Sequence, residues 1–224
     1  MTITVAGPRP VPTSWLDGHV GKTILCLGSG GGQQGPLLAA AGNDVTVLDI
    51  SESQLAIDRE VASTHDLPLR LEQGSMTDLG RFEPDHFDLI INPVSNPYIE
   101  DVRAVWRECA RILKGQGRLI SGSINPLNYL FEENEGDDGT GLTVRHALPF
   151  IESETLSQDE LSQAVSREMV FTWSHSLEDL IQGQIDAGLL IGGFHESRRT
   201  DPRAPSINRY APTYIQILSI KGSA

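Results

Sequence analysis

Thr23-Ile24-Leu25-Cys26-Leu27-Gly28-Ser29-Gly30-Gly31-Gly32-Gln33-Gln34-Gly35 decides how this chain is read. An apolar run leads straight into a glycine-dense turn, and a helical pattern follows. Glycine lets the backbone come within contact distance of a ligand and tolerates φ > 0. The helix behind it points its free N–H groups at the same spot. Asp44-Val45-Thr46-Val47-Leu48-Asp49 then gives a second buried strand with an acid at its carboxyl end. A glycine turn beside an acid at the tip of the neighbouring strand is how α/β sheets hold a nucleoside, the carboxylate accepting from ribose hydroxyls. A nucleoside cofactor is therefore expected, and the glycine spacing must say which one.

The chain has 224 residues, enough for one domain (1–224) with a full sheet and helices on both faces. Its formal charge of −13 argues against a nucleic-acid partner, because phosphate contacts need clustered Lys and Arg. Arg198-Arg199 is an isolated basic pair, read as solvated surface. Cys26, in a predicted central strand, and Cys109, in a predicted helix, read as small buried hydrophobes in a reducing compartment. No CxxC or Cys/His cluster suggests a metal. No signal peptide or long apolar run is present, so a soluble cytoplasmic protein without a membrane partner is expected.

Residues 1–21, with Pro8, Pro10, Pro12, Trp15 and Leu16, read as an extended arm that packs one aromatic onto the domain. Strand and helix patterns then alternate, which favours a parallel sheet. The predicted strands are Thr23–Gly28, Val45–Asp49, Leu69–Gln73, Phe87–Ile91 and one beginning at Arg118–Ser121. A helix follows from near Pro36 to Gly42-Asn43, and Ser51-Glu52-Ser53-Gln54 opens a second as a capping box, running to about His65. Asn96-Pro97 reads as the cap of a third, which buries Val102, Val105, Trp106, Cys109, Ile112 and Leu113. The pattern then changes. Residues 125–174 read as an inserted flap: an acidic Gly-rich loop from Glu132 to Gly141, a strand-like Leu142–Ala147, an acidic helix from Ser157-Gln158-Asp159-Glu160, and alternation over Val170–Ser174. Ser176-Leu177-Glu178-Asp179 caps a last helix with Leu177, Leu180, Ile181 and Ile185 on one face. Leu189–Glu196 and Tyr214–Lys221 close the chain as two strands with no helix between them, hence antiparallel neighbours.

A dinucleotide fold wants G-x-G-x-x-G directly after strand 1. Counted from Gly28, the third glycine falls on Gln33, and the literal match at Gly30–Gly35 starts late relative to the strand. Gly28-Ser29-Gly30-Gly31-Gly32 suits a cofactor without a pyrophosphate. With Ile24-Leu25-Cys26-Leu27 ahead of it, this stretch resembles the first motif of the class I S-adenosylmethionine-dependent methyltransferases. The resemblance continues in order through Leu48-Asp49-Ile50-Ser51 with Gln54-Leu55, Gln73-Gly74-Ser75-Met76-Thr77-Asp78-Leu79, Phe87-Asp88-Leu89-Ile90 and Arg111–Leu119. It ends with Ser174-His175-Ser176-Leu177 and Asp186-Ala187-Gly188-Leu189.

The resemblance implies a Rossmann-like, doubly wound α/β fold: a seven-stranded sheet of order 3-2-1-4-5-7-6 with the last strand antiparallel. It implies S-adenosyl-L-methionine as cofactor, held by Gly28, Ser29, Gly30, Gly32, Gln33, Asp49, Ile50, Gln54, Gly74, Ser75, Met76, Asn92 and Pro93. The expected reaction moves a methyl group to a small-molecule acceptor by in-line displacement. Three departures from the family stand out. The acid often found in the middle of strand 1 is Cys26, Ser75 replaces an acid near the adenine, and the arm is short enough to be a reduced cofactor lid. Acceptor-side candidates at the carboxyl ends of strands 4 and 5 and on the flap are Asn92, Ser95, Asn96, Tyr98, Asn125, Asn128, Tyr129, His146 and His175. Asn92-Pro93-Val94-Ser95 begins like the N-P-P-Y motif of amino-group methyltransferases but lacks its second proline and its aromatic, and reads as a turn lining the cofactor pocket. His175 is the candidate general base. Tyr129, Phe131, Phe150 and Trp173 would wall a hydrophobic pocket or pack the flap. His19, His65 and His86 read as surface and His195 as structural. A cofactor-binding protein without transfer activity and a nicotinamide-dependent oxidoreductase remain the alternatives, and a homodimer is one option for the assembly.

Overall fold

Ile24, Leu25, Cys26 and Leu27 are all fully buried, because the strand they form has both faces covered. Leu25 and Leu27 point to one side of the sheet and Ile24 and Cys26 to the other. The computed structural model describes residues 2–132, 141–167, 169–201 and 206–223. Its strands are β1 (Thr23–Leu27), β2 (Asp44–Asp49), β3 (Leu69–Gln73), β4 (Phe87–Asn92), β5 (Leu113–Ile124), β6 (Leu189–Ser197) and β7 (Tyr214–Lys221). They form one seven-stranded sheet of order β3-β2-β1-β4-β5-β7-β6. β1 to β5 run parallel, and β7 lies antiparallel between β5 and β6. This is the doubly wound order that the family resemblance implies.

The helices divide between the two faces. On one side α3 (Val102–Ile112) brings Val105, Trp106 and Cys109 against Leu25, Leu48, Ile90 and Leu119. On the other, α1 (Gln34–Ala40), α2 (Glu52–Thr64) and the N-terminal arm cover Ile24, Cys26, Val45, Val47 and Ile91. The arm buries more than the one aromatic expected of it: Ile3, Val5, Val11 and Leu16 join Trp15 in this cluster. It is also hydrogen-bonded to the edge of the sheet where the strands end. Val94 N–H donates to Val5 O at 2.9 Å, Gln34 Nε2 to Thr4 O at 3.0 Å and Gln216 Nε2 to Ala6 O at 2.9 Å.

Gly122 of β5 makes that approach possible, since a Cβ there would lie 2.2 Å from the Val5 carbonyl oxygen. Gly122→Ala is expected to displace the arm and cost about 1–3 kcal/mol, as overpacking does. Thermal unfolding should show the loss, and limited proteolysis should cut first within residues 2–16; an unchanged melting point and cleavage pattern would contradict this placement of the arm.

Several local expectations differ from the structure. Asn96-Pro97 opens only a 3₁₀ turn (Asn96–Tyr98), and the cap of α3 is Asp101, whose carboxylate accepts from Ala104 N–H at 3.1 Å. The Asn96 amide is buried instead and donates to Ser123 Oγ at 3.1 Å. Leu142–Ala147 is no strand, and Val170–Ser174 contributes only the isolated bridge Ile151–Trp173. The acidic flap helix is present: α4 (Glu152–Thr155) precedes α5 (Gln158–Ser166), which has a complete capping box between Ser157 and Glu160. Of the acidic loop, residues 133–140 lie outside the described residues. The last helix begins as a π turn (Glu178–Gln182) and ends as α6 (Gly183–Asp186). A π turn changes the angular step per residue, so the expected common face breaks up: Leu180 is buried while Leu177 and Ile185 are exposed.

Candidate functional site

The carboxyl ends of β1, β2 and β4 meet at the glycine turn. Gly28 carries φ +58° and donates its N–H to Leu48 O at 2.8 Å, which ties the turn to β2. Asp49, at the tip of β2, accepts from Gly30 N–H through Oδ2 at 2.8 Å and from Ser51 N–H through Oδ1 at 2.9 Å. Each carboxylate oxygen keeps a second lone pair, so Asp49 can still accept from a pair of hydroxyls. Space is tight where the expected glycines stand. A Cβ on Gly28 would come within 2.6 Å of Ser95 Oγ and 2.7 Å of Met76 Cε, and one on Gly30 within 2.6 Å of Gln54 Cβ. The acid, the hydroxyls and the side-chain-free backbone fit a nucleoside.

Most of the expected cofactor residues gather here. Gly28, Gly30, Asp49, Gln54 and Met76 converge on the turn, joined by the acceptor-side candidate Ser95, and Gly74 N–H donates to Asp49 O at 3.0 Å. Ser51 caps α2, but Gln54 does not return to it: its Oε1 lies 3.0 Å from where a Gly31 Cβ would be. Ser75 Oγ pairs with Thr77 Oγ1 at 2.8 Å, and Ile50 is 72 % exposed beside Asp49. Ser29 is buried and its hydroxyl donates to Gln34 Oε1 at 3.2 Å. Gly32 and Gln33 sit elsewhere. Gly32 packs on Ile57 and Val61 of α2, and Gln33 is exposed on the groove between α1, α2 and the arm. Asn92 is the last residue of β4 rather than part of a turn, fully buried, its amide donating to Leu27 O and Ser95 Oγ at 3.0 Å each. Pro93 O accepts from Ser95 Oγ at 3.0 Å.

Asp58 of α2 was not anticipated. It is fully buried, and its Oδ2 accepts from Gly31 N–H at 2.8 Å. An acid three residues after Leu55, on the inward stripe of an otherwise polar helix, is the signal that could have revealed it. Cys26, by contrast, is a buried thiol that burial pushes up, so it is neither charged nor reactive.

The acceptor-side candidates lie further along the same edge of the sheet. His175 Nε2 donates to Asn96 O at 2.9 Å, and Trp173 N–H to Pro97 O at 2.8 Å, so the flap is stitched to the 95–98 turn. Asn125 and Asn128 support the backbone: their amides donate to Pro212 O at 3.1 Å and Thr213 O at 2.8 Å. Tyr98 is largely exposed. Beyond them lies a cavity of about 490 Å³ whose lining includes Ile124, Tyr129, Phe131, His146 and Phe150. Tyr129 and Phe150 stack with centroids 5.6 Å apart, His146 meets Phe150 edge-on at 4.9 Å, and Glu132 pairs with His146 at 3.0 Å. Trp173 is not among the lining residues. His65 and His86 are exposed, His19 is half-buried and bonded to Leu16 O, and His195 packs on Trp15 at 5.0 Å. Among the described residues no cluster of three metal-ligating side chains occurs, and no helix is long and apolar enough to cross a membrane.

Residues 25–121 match the family model described as a methyltransferase domain. The "uncharacterized methyltransferase YbaJ" of Bacillus subtilis is 42 % identical over 219 residues, 98 % of this chain and 84 % of that protein. The chain belongs to the class I S-adenosylmethionine-dependent methyltransferases. A ubiquinone biosynthesis O-methyltransferase of Pseudomonas paraeruginosa is 30 % identical over 128 residues, 55 % of each chain. The crystal structure of an S-adenosylmethionine-dependent methyltransferase from Mesorhizobium loti superposes with a TM-score of 0.71 over 93 % of this chain and 95 % of that one, at 19 % identity, and shares the fold. S-adenosyl-L-methionine is thus the cofactor of this methyltransferase, and the nicotinamide alternative falls away. Asp49 and the glycine turn are the residues whose chemistry fits its ribose and methionine portions.

Proposed function

We propose that this methyltransferase moves the methyl group of S-adenosylmethionine onto a small-molecule acceptor by in-line displacement, with the cofactor on the Gly28–Gly32 turn and the acceptor in the aromatic cavity beside β5 and β7. The cavity carries this reading. Its volume of about 490 Å³ suits a small molecule, and its lining includes Ile124 at the carboxyl end of β5. The relatives named for O-methylation in ubiquinone biosynthesis support an acceptor of that kind. S-adenosylmethionine supplies a methyl already activated on its sulfonium, so the protein has chiefly to align and dehydrate the nucleophile.

Tyr129 and Phe150 give the cavity a flat aromatic wall. Burial pushes the Tyr129 phenol up to about 12, so it stays protonated at neutral pH and can donate a hydrogen bond without serving as a base. His175 is proposed as the base for an acceptor that must lose a proton. Its Nε2 is committed as donor to Asn96 O, which leaves Nδ1 with its lone pair. The chain acts as a single domain. Two buried thiols and the charge of −13 support a cytoplasmic setting without nucleic-acid partners.

Incubation with cofactor carrying a labelled methyl and a small-metabolite extract should place label on low-molecular-weight material. Label on macromolecules alone, or nowhere, would overturn the proposal. With the acceptor identified, Tyr129→Ala and His175→Ala are each expected to lower turnover about ten- to a hundredfold. Calorimetric affinity for S-adenosylhomocysteine should stay within about twofold, since neither residue borders the glycine turn.

A further inference from the structure

Two successive amides of the glycine turn face into the protein, and they are held by two carboxylates from different elements. Asp49 of β2 takes Gly30 N–H at 2.8 Å and Asp58 of α2 takes Gly31 N–H at 2.8 Å. Gly31 and Gly32 have φ of +117° and +75°, conformations that a glycine leaves readily unless something holds it. β1 offers no such hold from below, because the side chain that shares the face with α2 is the Cys26 thiol. The bed of the turn is α2. Gln54 and Asp58, one helical turn apart, face Gly30 and Gly31, while Ile57 and Val61 pack on Gly32.

Asp58 is an expensive residue in that place. It is fully buried, and its Oδ1 has no hydrogen-bond partner. Burial pushes its carboxyl up, opposed by the amides of Gly31 and Gly32 and assisted by the neighbouring Asp49. An uncompensated buried oxygen costs stability, so folding alone would favour an apolar residue beside Leu55. The turn supplies the reason for an acid, since a buried carboxylate gives the Gly31 N–H a charge-assisted acceptor that an apolar side chain lacks.

We propose that Asp58 is a positioning residue for cofactor binding: through the Gly31 amide it sets the glycine turn in the conformation that receives S-adenosylmethionine, without touching the cofactor. α2 therefore controls the cofactor site from behind.

The full-length chain with Asp58→Asn and with Asp58→Ala tests this. Asparagine keeps one acceptor oxygen, so S-adenosylhomocysteine is expected to bind about three- to fivefold more weakly to Asp58→Asn and about ten- to fiftyfold more weakly to Asp58→Ala, the order following the strength of the lost bond. The second readout needs no cofactor. In protein labelled with ¹⁵N-glycine, the Gly31 amide proton should move upfield in Asp58→Asn, with the Gly122 and Gly183 resonances unmoved. Affinity within twofold of the parent for both variants, or an unmoved Gly31 resonance, would overturn the proposal even if the melting point changed. Should Asp58→Ala fail to fold, Asp58→Asn carries both measurements.

Discussion

Asp49→Ala is expected to raise the dissociation constant for S-adenosylhomocysteine by about 30- to 1,000-fold, or roughly 2–4 kcal/mol. Two losses combine. The proposed contact to the ribose hydroxyls would lose a charged acceptor, worth about 1.5–3 kcal/mol, and the N–H groups of Gly30 and Ser51 lose the carboxylate they share at 2.8 and 2.9 Å. The variant should also bind more weakly than Asp58→Ala, because the proposed ribose contact and the support of the turn would be lost together. Isothermal calorimetry measures both directly. An affinity close to that of the parent protein would move the ribose contact to another side chain.

The largest stability effect is expected at Trp106. Its indole is fully buried between α3 and the last helix, and its Nε1 donates to Asp179 O at 2.9 Å. Gly183 makes room for it, since a Cβ there would stand 3.0 Å from the ring. Trp106→Ala opens a large cavity and leaves that carbonyl without its donor, so a loss of about 3–5 kcal/mol is expected, with a melting point lower by about 10 °C or more. Urea unfolding followed by circular dichroism checks it. A loss under about 1 kcal/mol would mean that the helices close over the site, and the assignment of Trp106 to the core would fail.

The strand positions were legible in the sequence because each buried strand carries its own signature, while their order in the sheet followed from the resemblance to the methyltransferases. The continuous apolar runs at β1 and β4 mark strands covered on both faces, and the helix-free link between β6 and β7 requires an antiparallel pair. The glycine turn was legible for a similar reason, since the turn rests on backbone freedom at Gly28 and on one charge, Asp49, at a strand tip. Features set by tertiary contact were not. Asn96 has the form of a helix cap, yet its amide is drawn inward to Ser123 and the cap passes to Asp101. The π turn at Glu178–Gln182 leaves no local mark in composition, and it shifts Leu177 and Ile185 out to solvent. Asp58 meets its partners across the gap between α2 and β1, a pairing that helical periodicity locates without revealing what lies opposite.

The arm's bonds have a consequence for the order of assembly during synthesis. Gln216 of β7 holds the carbonyls of Ala6 and Arg9, contacts separated by 210 and 207 residues in the chain. β7 itself must slot between β5 and β6 before those bonds exist. The Gln216 bonds thus form only once almost the whole polypeptide has been made, whereas Thr4 and Val5 meet Gln34 and Val94 far earlier in the chain. Contacts of such long range form late. The arm is therefore fastened in two stages, first against the part of the sheet that carries the glycine turn and last against β7.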